Sequence, residues 1–205
     1  METATLQLQD IIKSSLNKSI DYTSYRNLVH QLVEEKSNSG NEKTEALADY
    51  TMLNDRRMKR WDKTIKISES TQQYLTNYTK KITFLVITES WCGDAAHVIP
   101  VLNKITNSNP NLDLKLVFRD ENDALMDNFL TNGGRAIAKL IALDEQNKVL
   151  FTFGPRPSLA TKLVNDYKSK NGALTPEFKE DLQHWYNKDK GQSIINDLVM
   201  LLGNS

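Results

Sequence analysis

The chain has 205 residues, 39% of them hydrophobic, enough to bury a sizeable core in one domain or in one domain with a helical appendage. Lysine plus arginine and aspartate plus glutamate both total 26, so bulk charge gives no case for a nucleic-acid or anionic-membrane partner. No apolar stretch approaches the roughly 20 residues that span a bilayer, the start Met1-Glu2-Thr3-Ala4-Thr5 lacks the basic and apolar regions of a signal peptide, and one cysteine fits a reducing compartment; a soluble cytoplasmic protein is expected.

Leu6, Leu8, Ile11, Ile12 and Leu16 fit one face of a helix from about Thr5 to Leu16, and Tyr22, Tyr25, Leu28, Leu32 and Val33 do the same from about Asp21 to Glu35. Ser37-Asn38-Ser39-Gly40-Asn41 breaks that pattern as a loop. A long helix from about Glu42 to Thr64 carries Leu47, Tyr50, Met52, Leu53, Met58 and Trp61. Its basic cluster, Arg56, Arg57, Lys59, Arg60 and Lys63, reads as a solvated face rather than an anion site. A shorter helix over Ser68 to Tyr78 completes an expected helical extension, residues 1–80.

At Lys81 the pattern changes. Ile82 to Thr88 is a continuous apolar, β-branched run, as in a strand buried on both faces of a parallel sheet. Residues 93–107 read as a helix and Leu114 to Phe118 as the next strand, which makes a βαβ unit. Asn122 is placed to cap a short helix through Leu130 that Gly133-Gly134 ends, and no lysine and hydroxyl pair follows to make those glycines a phosphate loop. Ile137 to Leu143 and Val149 to Phe153 are strands joined too tightly for anything but an antiparallel hairpin. After Gly154-Pro155-Arg156-Pro157, Ser158 is placed to cap a helix to about Lys170. Thr175 with Pro176 starts another, carrying Phe178, Leu182, Trp185 and Tyr186, and a last helix runs from about Gln192 to Leu202. The expected division is thus 1–80, a core over 81–170, and helices over 171–205 packed on it, all in one compact unit.

Cys92, the single cysteine, lies between the first strand and the helix after it, where free amides at a helix start favour a thiolate. The order strand, Trp91-Cys92-Gly93, helix, strand, helix, hairpin, helix resembles the thioredoxin fold, an α/β arrangement. Pro100, eight residues after Cys92, matches the family's helix-kinking proline, and Pro100, Leu102 and Ile105 reproduce its Pro-x-Leu-x-x-Ile spacing. Gly134-Arg135-Ala136-Ile137-Ala138-Lys139-Leu140 looks like the family's Gly-Ile-Pro-Thr-Leu strand entry. The resemblance covers roughly residues 81–170, and the outer helices look like those of a bacterial branch with a Trp-Cys-Gly-Asp motif. It implies a redox-active site at Cys92 with Trp91, Gly93 and Asp94, a substrate shelf at Ala136, Ile137 and Ala138, and a protein or small-molecule thiol or disulfide as partner, with no cofactor or metal.

Three departures qualify it. The family's resolving cysteine is Ala95 here, so a mixed disulfide at Cys92 needs an outside thiol. The family's buried proton acceptor is Val86, leaving no carboxylate for that job. The family's cis-proline is Ala138, and since a cis bond without proline costs about 2.5–4 kcal/mol, a trans Ile137–Ala138 bond is expected. A helix start stabilises an anion by about 0.3–2 kcal/mol. Asp94, at ~6 Å, opposes it by roughly 1–3 kcal/mol, so no strongly acidified thiol is expected.

Trp91 is read as shielding Cys92 within a peptide-binding surface, and Asp94 as either a site residue or an ordinary helix-start acid. His97 lies about 140° around the helix from Cys92, a poor base for it, and is expected to be structural or solvent-facing. His30 and His184 sit in separate helices without ligand-like neighbours. Two function classes remain: a monothiol oxidoreductase forming mixed disulfides at Cys92, and a redox-inactive interaction module. A one-cysteine peroxidase is disfavoured, because no threonine and proline of the peroxidase type surround Cys92.

Overall fold

The structure, a computed structural model, describes residues 2–205 and the side chains from residue 7 onward. Met1 and the side chains of the expected N-terminal apolar face up to Leu6 lie outside it. Helices α1 (Glu2–Asn17), α2 (Tyr22–Glu34), α3 (Glu45–Thr64) and α4 (Glu69–Thr76) precede strand β1 (Ile82–Thr88). Then come α5 (Ala95–Thr106), β2 (Leu112–Phe118), a 3-10 turn at Arg119–Glu121, α6 (Asp123–Asn128), β3 (Lys139–Leu143) and β4 (Val149–Phe153). Helices α7 (Ser158–Asn171), α8 (Pro176–Asp189) and α9 (Gln192–Gly203) close the chain.

The four strands form one mixed sheet in the order β2-β1-β3-β4. β1 runs parallel to β2 with Ile82 opposite Leu112, and β3 is antiparallel to both β1 and β4. Successive residues Phe84 to Thr88 are all buried. Because neighbours on a strand point to opposite faces, the sheet is covered on both sides. α5 is buried from Ala95 to Leu102 on every side, as expected of an apolar helix enclosed by neighbours. α3 packs along it, with Met58 and Trp61 buried.

Local capping chemistry explains four helix starts. Asp21 accepts from the Ser24 amide at 2.7 Å, Thr44 from Leu47 at 3.3 Å, Ser68 from Thr71 at 3.2 Å, and Thr175 from Phe178 at 3.3 Å. With Thr44 as its cap, α3 starts at Glu45 instead of near Glu42. Three expected helix ends are made differently from the local reading. Asn122 turns its side chain back to the Phe118 carbonyl at 2.9 Å and does not cap α6. α6 stops at Asn128, and Gly133-Gly134 belongs to a separate turn closed by paired backbone bonds between Thr131 and Gly134. Ser158 is the first residue of α7, with Pro157 at the cap position, because its amide and hydroxyl are both taken by Asp197 of α9, at 2.6 and 2.9 Å.

Candidate functional site

Cys92 stands in the turn between β1 and α5. Its amide donates to the Glu89 carbonyl at 3.1 Å and its carbonyl accepts from the Ala96 amide at 3.2 Å, so the turn runs directly into the helix. Cys92 is 7% exposed, and its thiol donates to the Ile137 carbonyl at 3.2 Å. Burial, reinforced by the charge of Asp94, pushes this thiol up to about 12, against the opposing pull of the Ala95 and Asp94 amides and of Arg156. The balance of helix start against Asp94 thus leaves out the dominant contribution, which is desolvation of the thiolate. At neutral pH the group is a neutral thiol.

The Ile137–Ala138 bond is cis, which overturns the expected trans geometry. The trans expectation rests on residue type alone, whereas the bond lies against groups from elsewhere in the chain. The Ile137 carbonyl receives Cys92, and the Ala138 carbonyl sits where a Cβ on Gly154 would come within 2.2 Å of it. Gly154, at φ +107, leaves that space open. β3 begins at Lys139, two residues later than expected. Of the three shelf residues, Ala136 is half-buried, while Ile137 and Ala138 are buried.

Asp94 occupies the cap position of α5 but makes no capping bond. Its carboxylate is instead gripped by Arg156, whose Nη2 lies 2.6 Å from Oδ2 and whose Nε donates to Oδ1 at 3.0 Å, and it accepts the Tyr186 hydroxyl at 3.0 Å. Burial raises the Asp94 carboxyl above the usual range, with Arg156 and Tyr186 pulling the other way. Tyr186 stacks on His97 with ring centroids 4.1 Å apart. His97 is fully buried, as a structural histidine: Trp61 donates to its Nδ1 at 2.8 Å, so Nε2 carries the proton and meets Gln183 Oε1 at 2.6 Å. Burial lowers its pKa to about 3, which keeps the ring neutral.

The other side of the turn is held by the N-terminal helices and their loop. Glu89 is wholly buried, accepting the Ser39 hydroxyl and, at 3.0 Å, the Asp120 amide; burial raises its carboxyl above the ordinary range. Ser39 and Ser90 exchange bonds of 2.9 and 2.8 Å, Thr51 meets the Ser90 hydroxyl at 2.9 Å, and Asn54 donates to the Ser90 carbonyl at 2.9 Å. Trp91 is half-buried with the Arg119 guanidinium 4.9 Å from its ring, and its indole N–H is buried without a partner against Gly40, where a Cβ would come within 2.8 Å of it. Arg57 departs from the solvated face: it is half-buried, donates to Asn54 at 3.0 Å, and would lie 3.6 Å from a Cβ on Gly93. Arg56, Lys59, Arg60 and Lys63 are exposed, as expected.

The expected site residues Trp91, Cys92, Gly93, Asp94 and Ile137 therefore come together, and Val86 is a buried strand residue as read. The proton-acceptor position is apolar as read, at Val86, but two carboxylates are buried in the turn itself, Glu89 and the Asp94 that the sequence places beside Cys92. Sequence reasoning missed Glu89, Ser39, Asn54, Arg156 and Tyr186. One signal was available: Thr51, Asn54, Met58 and Trp61 share a helix face, which places two polar residues on an otherwise apolar stripe. Among the described residues there is no group of three or more His, Cys, Asp or Glu side chains able to hold a metal ion, and no helix long and apolar enough to cross a membrane.

A sheet ordered β2-β1-β3-β4, a cysteine at the start of the helix after β1, and a cis turn entering β3 beside it define a thioredoxin-like α/β protein. A family model described as Thioredoxin matches residues 40–168, more than half of the chain, and the chain belongs to that family. Two solved structures share the fold. One is a protein of unknown function from Pseudomonas aeruginosa, 18% identical over 74% of this chain and 84% of that one, with a TM-score of 0.59. The other is an HIV epitope-scaffold, 15% identical over 91% of this chain and 99% of that one, also with a TM-score of 0.59. No curated protein matches.

Proposed function

We propose that this protein is a thioredoxin-family interaction module in which the active-site turn is kept as architecture and dithiol turnover is gone. The observation that carries this is Cys92 itself: a buried, neutral thiol bonded to the Ile137 carbonyl, with Ala95 where a resolving thiol would stand. Thiol–disulfide exchange runs through the thiolate, which this environment disfavours. In this reading the chain belongs to a bacterial, cytoplasmic branch with a Trp-Cys-Gly-Asp motif. Residues 1–80 and 171–205 serve as extensions that clamp a core over 81–170, and a protein partner is met around Trp91 and Ala136. In native protein, Cys92 should react with an aromatic disulfide reagent at least about a hundredfold more slowly than in denaturant. Insulin reduction should be no faster than for Cys92→Ser. A useful turnover rate abolished by Cys92→Ser would overturn the proposal.

A second reading has its own support, since the Asp94 and Ala95 amides at the start of α5 still favour a negative sulfur. Were local opening to expose the thiolate, Cys92 would attack a protein or small-molecule disulfide, releasing one sulfur as a thiolate. An external thiol would then displace Cys92 from the mixed disulfide. Rapid trapping of that mixed disulfide by mass spectrometry would favour this reading over the first.

A further inference from the structure

Outside the Cys92 site, four cations from three separate stretches converge on one cavity of about 860 Å³. Arg60 and Lys63 come from the last turns of α3, Lys66 from the segment before α4, and Lys190 from the turn between α8 and α9. Among the described residues none of the four is in an ion pair, and one carboxylate, Glu69, shares the lining. In a chain of zero net charge this is a concentrated positive field that Glu69 offsets only in part. The negative ends of the α3 and α8 dipoles account for Arg60, Lys63 and Lys190, the last being the C-cap of α8, but not for Lys66.

The walls are tied together. Gln192 Nε2 donates to the Lys66 carbonyl at 3.0 Å, Arg60 bonds Asn187, and Gly191 lies so close to Val101 that a Cβ there would approach it to 2.9 Å. The apolar surface of the lining is Ile67, which is half-buried, while Trp61 is almost fully covered. The volume falls in the range of small-molecule sites, and lysine ammoniums act on phosphate as point charges.

We propose that this cavity binds an organic phosphate carrying at least two negative charges, of the size and kind of a nucleoside diphosphate. Lys63, Lys66, Lys190 and Arg60 meet the phosphates, and the apolar part lies against Ile67. The site is independent of the thiol chemistry at Cys92. Calorimetry on the full chain with ADP and with inorganic pyrophosphate as probes tests it. ADP should bind with a dissociation constant below about 1 mM in about 50 mM salt, several-fold more weakly in about 200 mM salt, and more tightly than pyrophosphate. Lys66→Glu/Lys190→Glu, two exposed positions, should keep the native circular dichroism and lose at least about tenfold in affinity. No saturable binding of either probe at about 10 mM, or unchanged affinity in the double variant, would overturn the assignment. Pyrophosphate binding as tightly as ADP would overturn the role of Ile67.

Discussion

The two flanks of the Cys92 turn each bury a carboxylate, and they satisfy it in opposite ways. On the N-terminal flank Glu89 accepts from a hydroxyl and an amide, and the nearby guanidinium of Arg119 is paired with Asp120 at 2.8 Å instead. On the C-terminal flank Asp94 receives a two-point guanidinium grip from Arg156 and a phenol from Tyr186. A carboxyl met by neutral donors alone can exchange its charge for a proton at modest cost; one facing a guanidinium cannot, because the cation would be left unmatched. Both flanks are built largely by residues outside the βαβ unit: Ser39 and Asn54 before it, Arg156 and Tyr186 after it. The turn is thus held from both sides by residues far from it in sequence.

The largest effect of a single substitution expected from this contrast is at Arg156. Arg156→Ala leaves Asp94 buried without its cation and should cost about 3 kcal/mol in urea unfolding, with Asp94→Asn on that background restoring at least half. A loss no greater than that of Glu89→Gln would erase the distinction between the flanks.

His97 gives the C-terminal flank an acid sensitivity. Its folded pKa, lowered to about 3, lies below the unfolded value of 6.5, so between these pH values the unfolded chain takes up a proton that the folded one refuses. Stability should therefore fall as pH drops through that window, by roughly 3–5 kcal/mol in all. Thermal melts at stepped pH check this, and His97→Gln should flatten the slope. Glu89 works against the trend. Its folded pKa is raised above 4.5, so its contribution is complete below that value and is lost as pH climbs through the folded pKa.

The smallest effect is at Glu89 itself. Glu89→Gln should change stability by about 1 kcal/mol, and the difference should move in favour of glutamine as pH rises, since glutamine does not titrate. A pH-independent difference between the two proteins would show that Glu89 keeps the same protonation state throughout.

Much of the framework was legible in local sequence. The apolar run Ile82 to Thr88 is a strand buried on both faces, the short link between the last two strands makes a hairpin, and Thr175-Pro176 starts α8 as its cap chemistry dictates. The candidate turn was also legible, because Trp91-Cys92-Gly93 with Pro100 is a contiguous pattern. Its partners were not. Asp94 to Arg156 spans 62 positions, Asp94 to Tyr186 spans 92, and Ser39 to Glu89 spans 50, and no periodicity links residues so far apart.

What the sequence by itself determined is the order of helices and strands, the position of the single cysteine at the start of α5, and the absence of a second thiol to resolve it. These follow from residue type and near-neighbour spacing. Only the tertiary structure decided that the thiol is buried and neutral, that Ile137–Ala138 is cis, and that Asp94 faces Arg156 in place of capping its helix. Each of those depends on which distant groups displace water from the site, and desolvation is a property of the assembled fold.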